Sequence, residues 1–109
     1  MAFDQMLAGR VRPLLAHREG FAERKMFGGL AFLIRGNLCV GVWKGSLIAR
    51  LGPEEGEVAL REPHVGPFDV TGRAMSGWVL VGPRALADDD ELADWVARSL
   101  RFNATLPAK

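Results

Sequence analysis

Three residues of this sequence carry side chains that could take part in catalysis or metal binding: Cys39, His64 and Asp69. A histidine close to a carboxylate can act as a general base or hold a metal ion, and a thiolate can act as a nucleophile. The second histidine, His17, lies far from His64 along the chain, and Cys39 lies in the middle of an apolar run. A surface histidine and a buried, unreactive thiol are therefore the favoured interpretations. The alternative is a small-molecule or catalytic pocket around His64 and Asp69, which requires the fold to bring these groups together.

Basic and aromatic residues are interleaved over the first half of the chain, and this composition suits stacking on single-stranded nucleic acid between phosphate contacts. The net charge is +1, and the aromatic spacing matches no recognised nucleic-acid-binding module. A hydrophobic core with a solvated basic rim is the favoured interpretation, and nucleic-acid binding is kept as an alternative. The residues concerned are Arg24, Lys25, Arg35, Lys44 and Arg50, with Phe27, Phe32 and Trp43.

The composition indicates one compact domain over residues 1–109, because a chain of this length with 49% apolar residues can bury a single core. A single cysteine cannot form a disulfide within the chain, and the N-terminus lacks the basic segment and apolar run of a secretory signal. The apolar runs are shorter than the ~20 residues that cross a bilayer as a helix. We therefore expect a cytoplasmic protein with no membrane contact and no cofactor.

Helices are expected before, within and after a set of strands. Apolar residues at helical spacing predict a first helix over residues 3–15, with a kink or a restart at Pro13. A proline followed by glutamates predicts a short acidic helix over residues 53–61. One strand, or two short ones, is expected over residues 74–81, and Asp88 is the expected N-cap of a closing helix.

The stretch between the first two helices predicts one strand, followed by an antiparallel meander of three strands. Its turns set the register, so that Leu33 lies opposite Val40 and Val42 lies opposite Leu47. The expected strands cover residues 21–27, 30–35, 38–43 and 46–51, with a bend at Gly28-Gly29 and two-residue turns at Gly36-Asn37 and Lys44-Gly45.

Both faces of this predicted sheet are apolar, and one layer of helices covers one face. The second face needs another cover, which can be a partner chain, a ligand or a late helix that wraps round. We favour a partner, and we expect this face, or the sheet edge beside it, to bind a second copy of the chain or a regulatory protein. The residues alone thus favour a non-enzymatic interaction domain. We name the predicted contact residues the docking row; they are Leu30, Phe32, Ile34, Trp43 and Ile48.

Four stretches together resemble the N-terminal domain of the TfoX/Sxy family: "ERKMFGGLAFLIRGNLCVGV", "LIARLGPEE", "GRAMSGWVLV" and "LADWVARSL". The most specific pieces are Met26-Phe27-Gly28-Gly29 before a hairpin and the later Gly77-Trp78. The resemblance implies a two-layer α+β fold similar to secretion chaperones, with an antiparallel sheet and helices before, within and after it. It also implies a regulatory role without catalytic residues. Longer family members carry a second, helical domain and are associated with natural competence, and nothing in this chain corresponds to that domain.

Overall fold

The structure is a computed structural model that describes residues 3–70 and 72–109. In these residues a six-stranded antiparallel sheet has the strand order β1-β2-β3-β4-β6-β5. Helices α1 and α3 pack on one face of this sheet, which confirms the α+β fold. The elements are α1 Gln5–Leu15, β1 Phe21–Met26, β2 Gly29–Ile34, β3 Asn37–Trp43, β4 Ser46–Arg50, α2 Pro53–Ala59, β5 Val65–Pro67, β6 Trp78–Val81, a 3₁₀ helix Pro83–Leu86 and α3 Asp89–Asn103.

The two long helices begin at aspartate caps. The Asp4 carboxylate accepts hydrogen bonds from the first backbone N–H groups of α1, and the Asp88 carboxylate accepts one from Asp90 N. Pro13 lies inside α1 and neither ends the helix nor starts a new one. The apolar stripe of α3, which includes Leu92 and Trp95, is buried against the sheet. Both helices thus follow the periodicity of the sequence.

The first hairpin turns at a different place from the expected one. Phe27 and Gly28 both have positive φ, 58° and 76°, and they form a two-residue turn that joins β1 to β2. Gly29 is then the first residue of β2, where an added Cβ would collide with the carbonyl oxygen of Val42. The predicted bend at Gly28-Gly29 is therefore a hairpin turn, and the second glycine is required by close backbone packing.

The second hairpin corrects the predicted register. The turn consists of Arg35 and Gly36, both at positive φ, so Ile34 pairs with Asn37. A bulge near Cys39 then brings Phe32, instead of Leu33, opposite Val40. The predicted pairing of Val42 with Leu47 is confirmed. Because a slip of one residue reverses the side chains of a strand, the predicted faces of β2 are exchanged.

The main core lies between the sheet and helices α1 and α3. A smaller cluster lies on the opposite face of the sheet and contains Ala31, Leu33 and Leu38. Phe68, which is fully buried, packs there edge-on to Phe27, with ring centroids 5.4 Å apart. The chain therefore covers part of its second sheet face with the segment that follows β5, a strand the sequence did not predict.

Candidate functional site

Four of the five residues of the docking row are buried by the chain itself. Leu30, Phe32 and Ile34 are buried in the main core beneath the helices, and Ile48 is fully buried on the opposite side of the sheet. Trp43 is half-buried, and the Lys44 ammonium lies 4.7 Å from its ring centroid. The expectation of one open apolar face is therefore wrong, because the register of β2 places its large side chains under α1 and α3.

The buried Cys39 does not share a surface with the exposed His64 and Asp69. Burial raises the pKa of the Cys39 thiol to about 12, against a weaker opposing influence of Arg18, so the thiolate is disfavoured at neutral pH. His64 and Asp69 are both exposed. Across the described residues no group of three or more potential metal ligands occurs.

The basic and aromatic residues are also dispersed. Phe32 is buried, and Arg24 and Lys25 are consecutive strand residues whose side chains point to opposite faces. The Arg50 guanidinium is held between two rings of the protein, 5.1 Å from the Trp78 centroid and 5.6 Å from that of Phe102. These residues therefore do not present one stacking surface.

A different surface is built where α2 meets the turn before β6. Gly77 has a φ of 85°, and its carbonyl oxygen accepts hydrogen bonds from Leu51 N at 2.8 Å and Gly52 N at 3.2 Å. A Cβ added to Gly56 would lie 2.8 Å from the Gly77 Cα. The helix and the turn thus touch backbone to backbone, which fixes the position of α2 against the sheet.

An apolar cavity of about 300 Å³ opens beside this contact. Its wall includes Trp78, whose ring stacks on Phe68 with centroids 5.7 Å apart. Leu60, at the C-terminal end of α2, lines the cavity and is 38% exposed. We name this cavity the α2 groove; it is lined by Pro53, Gly56, Glu57, Leu60, Pro67, Ala74, Met75, Ser76, Gly77 and Trp78.

The described lining of the α2 groove contains one carboxylate. It belongs to Glu57, and Glu54 and Glu55 are exposed in the first turn of the same helix. Within residues 3–70 and 72–109 none of these three carboxylates forms an ion pair, whereas Glu62 just beyond α2 is paired with Arg98. The groove therefore combines an apolar wall with the carboxylate of Glu57, which forms no ion pair among the described residues.

Comparison with family models decides the family. The model of the TfoX N-terminal domain matches residues 13–103 of the 109 residues. This chain belongs to the TfoX N-terminal domain family. Comparisons with curated proteins and with solved structures gave no match. None of the helices in the described part of this TfoX N-terminal domain is both long and apolar enough to cross a membrane.

The motif residues that suggested this family have structural roles in this TfoX N-terminal domain. Phe27 and Gly28 make the first hairpin turn, Met26 and Trp78 pack in the smaller cluster, and Gly77 anchors α2. Sequence analysis missed the α2 groove itself. The available signal was the pair of small residues Gly56 and Ala59, which lie on one side of a helix whose other positions include Val58 and Leu60.

Proposed function

We propose that this TfoX N-terminal domain is a non-enzymatic interaction domain that binds a regulatory protein at the α2 groove. The observation that carries the proposal is the exposure of Leu60 in the lining of an apolar cavity. In the described part of the chain, the other exposed large apolar side chains are those of Met6 and Val58, and neither lines the cavity. Apolar side chains grouped around a cavity are typical of surfaces that bind other proteins.

The state of the reactive residues supports an interaction role over catalysis. The Cys39 thiol is buried and its pKa is raised, so it is a poor nucleophile. His64 and Asp69 do not line the α2 groove. Its polar side chains are those of Glu57 and Ser76, which is a sparse set for binding and activating a substrate.

A random peptide library displayed on phage tests the proposal. We expect the wild-type domain to select peptides, and Leu60→Ser to weaken their binding about tenfold, because part of the leucine burial is lost. Met6→Ser is the matched control, since Met6 is 81% exposed and lies on α1, outside the groove. Circular dichroism checks that both variants are folded.

Two results would contradict the proposed function. One is a selection that enriches no peptide. The other is a set of selected peptides whose affinity falls equally with Met6→Ser and Leu60→Ser, since binding would then not depend on the α2 groove.

A further inference from the structure

We infer that the α2 groove takes a short protein segment in which an apolar side chain stands next to a lysine or arginine. This inference rests on the proposed function and adds the chemistry of the partner to it. The partner follows from two properties of the groove: an apolar wall that accepts an anchoring side chain, and a carboxylate beside it that has no cation of its own among the described residues.

The wall of the groove fits one anchoring side chain. Trp78 is held in place by its stacking on Phe68 and by the Arg50 guanidinium, so this part of the wall is fixed. Met75 is unbranched and adapts to the shape of what it contacts. A cavity of about 300 Å³ is at the lower end of the range for small-molecule sites, and it is large enough for a leucine or phenylalanine side chain.

The charge at the groove selects the residue that accompanies this anchor. Glu57 is the one charged residue of the described lining, and Glu54 and Glu55 lie on the same helix outside that lining. Those two lie at the positive end of the helix, which partly offsets their charge, whereas Glu57 lies nearer the negative end. A cation is therefore best placed beside Glu57, next to the apolar cavity.

The groove is formed before a partner arrives. The backbone contact between Gly56 and Gly77 and the two hydrogen bonds to Gly77 O fix its floor. Binding to a preformed groove carries no free-energy cost for ordering the groove, so a short segment can bind there with measurable affinity. A second copy of the chain is a poor occupant if two α2 grooves face each other, because the two Glu57 carboxylates would then meet.

Two short fluorescein-labelled peptides test the inference by fluorescence anisotropy with the full chain. One peptide has a leucine-phenylalanine core flanked by lysines, and its twin has glutamates in place of the lysines. We expect the lysine peptide to bind at least ~5-fold more tightly than its twin, and Glu57→Lys to weaken it by ~5-fold, about what one or two partly exposed ion pairs contribute. Glu54→Lys is the matched control, because it makes the same charge change on the same helix outside the groove lining. The affinity of the Glu54→Lys variant for the lysine peptide should stay within about twofold of the wild-type value at moderate salt.

The outcomes separate this inference from the proposed function. If the two peptides bind with equal affinity, or if Glu54→Lys and Glu57→Lys weaken binding equally, the inference of a basic partner is wrong. Binding that depends on Leu60 would still support the proposed function. Self-association that disappears with Leu60→Ser also overturns it, because the occupant is then a second copy. If phage-selected peptides bind through Leu60 but are acidic or neutral, the proposed function stands and this inference fails.

Discussion

At the scale of single residues, Gly77 has the largest structural effect on the α2 groove. It combines a left-handed backbone with two accepted hydrogen bonds and a close approach to the start of α2. An added Cβ would lie 2.7 Å from the carbonyl carbon of Gly52. No other residue type meets both demands, because an L side chain is strained at this φ and has no space.

We predict that Gly77→Ala destabilises the domain by about 2–4 kcal/mol, the sum of backbone strain and a clash in a packed region. Gly28→Ala is the control, since Gly28 has a φ of 76° but an added Cβ would meet no other part of the described chain within 4 Å. It should cost about 1–2 kcal/mol from backbone strain alone. Urea unfolding measures both changes, and an equal loss in the two variants would show that contact with α2 adds nothing at Gly77.

At the scale of elements, α1 is tied to the edge strand β1 by an ion pair. The Arg12 guanidinium donates to both carboxylate oxygens of Glu23, at 2.6 and 2.9 Å. The hydrogen bond from Arg12 lowers the pKa of the Glu23 carboxyl below its ordinary value, with burial acting in the opposite direction. Both side chains are partly exposed, so the contribution of the pair to stability is modest.

A double-mutant cycle with Arg12→Met and Glu23→Gln should give a coupling energy of about 0.5–1 kcal/mol at neutral pH. Because the pKa of Glu23 is lower in the folded state, this stabilisation is fully present above the ordinary glutamate pKa. It is lost as the pH falls through the lowered value. Urea unfolding at neutral and acidic pH measures the coupling, and a coupling that persists in acid would show that the carboxylate charge is not its source.

The order of the elements was predictable from the sequence, and the details that decide exposure were not. Periodicity and capping residues predicted α1 and α3, and turn residues predicted the three-strand meander of β2, β3 and β4. The turn at Arg35-Gly36 was missed because a non-glycine residue occupies positive φ there. The bulge near Cys39 was missed because it does not change the alternation of apolar residues in the sequence. One register slip was enough to move Leu30, Phe32 and Ile34 into the main core.

The candidate site could not be derived in the same way, because it arises from contacts between distant parts of the chain. The floor of the α2 groove joins Gly56 to Gly77, and its wall depends on the burial of Phe68. The sequence predicted the acidic helix and singled out Gly77-Trp78, but spacing alone does not show that these segments meet. Long-range packing, in contrast to helical periodicity, has no local signature.

At the scale of the whole molecule, the main apolar surfaces of the sheet are covered by the chain's own elements. Helices α1 and α3 cover one face, and Phe68 packs on part of the other. The edge strand β1 carries the exposed charges of Glu23, Arg24 and Lys25, which discourage pairing with another strand. The α2 groove is therefore the surface at which the shape and the charge of the molecule favour a partner.

Chemical-shift mapping tests this account most directly. In a titration of the ¹⁵N-labelled chain with a phage-selected peptide, we predict that the perturbed backbone amides cluster in residues 53–60 and 74–78. Perturbations confined to β1, or to the hairpin of β2 and β3, would contradict the account and would place the partner at the sheet.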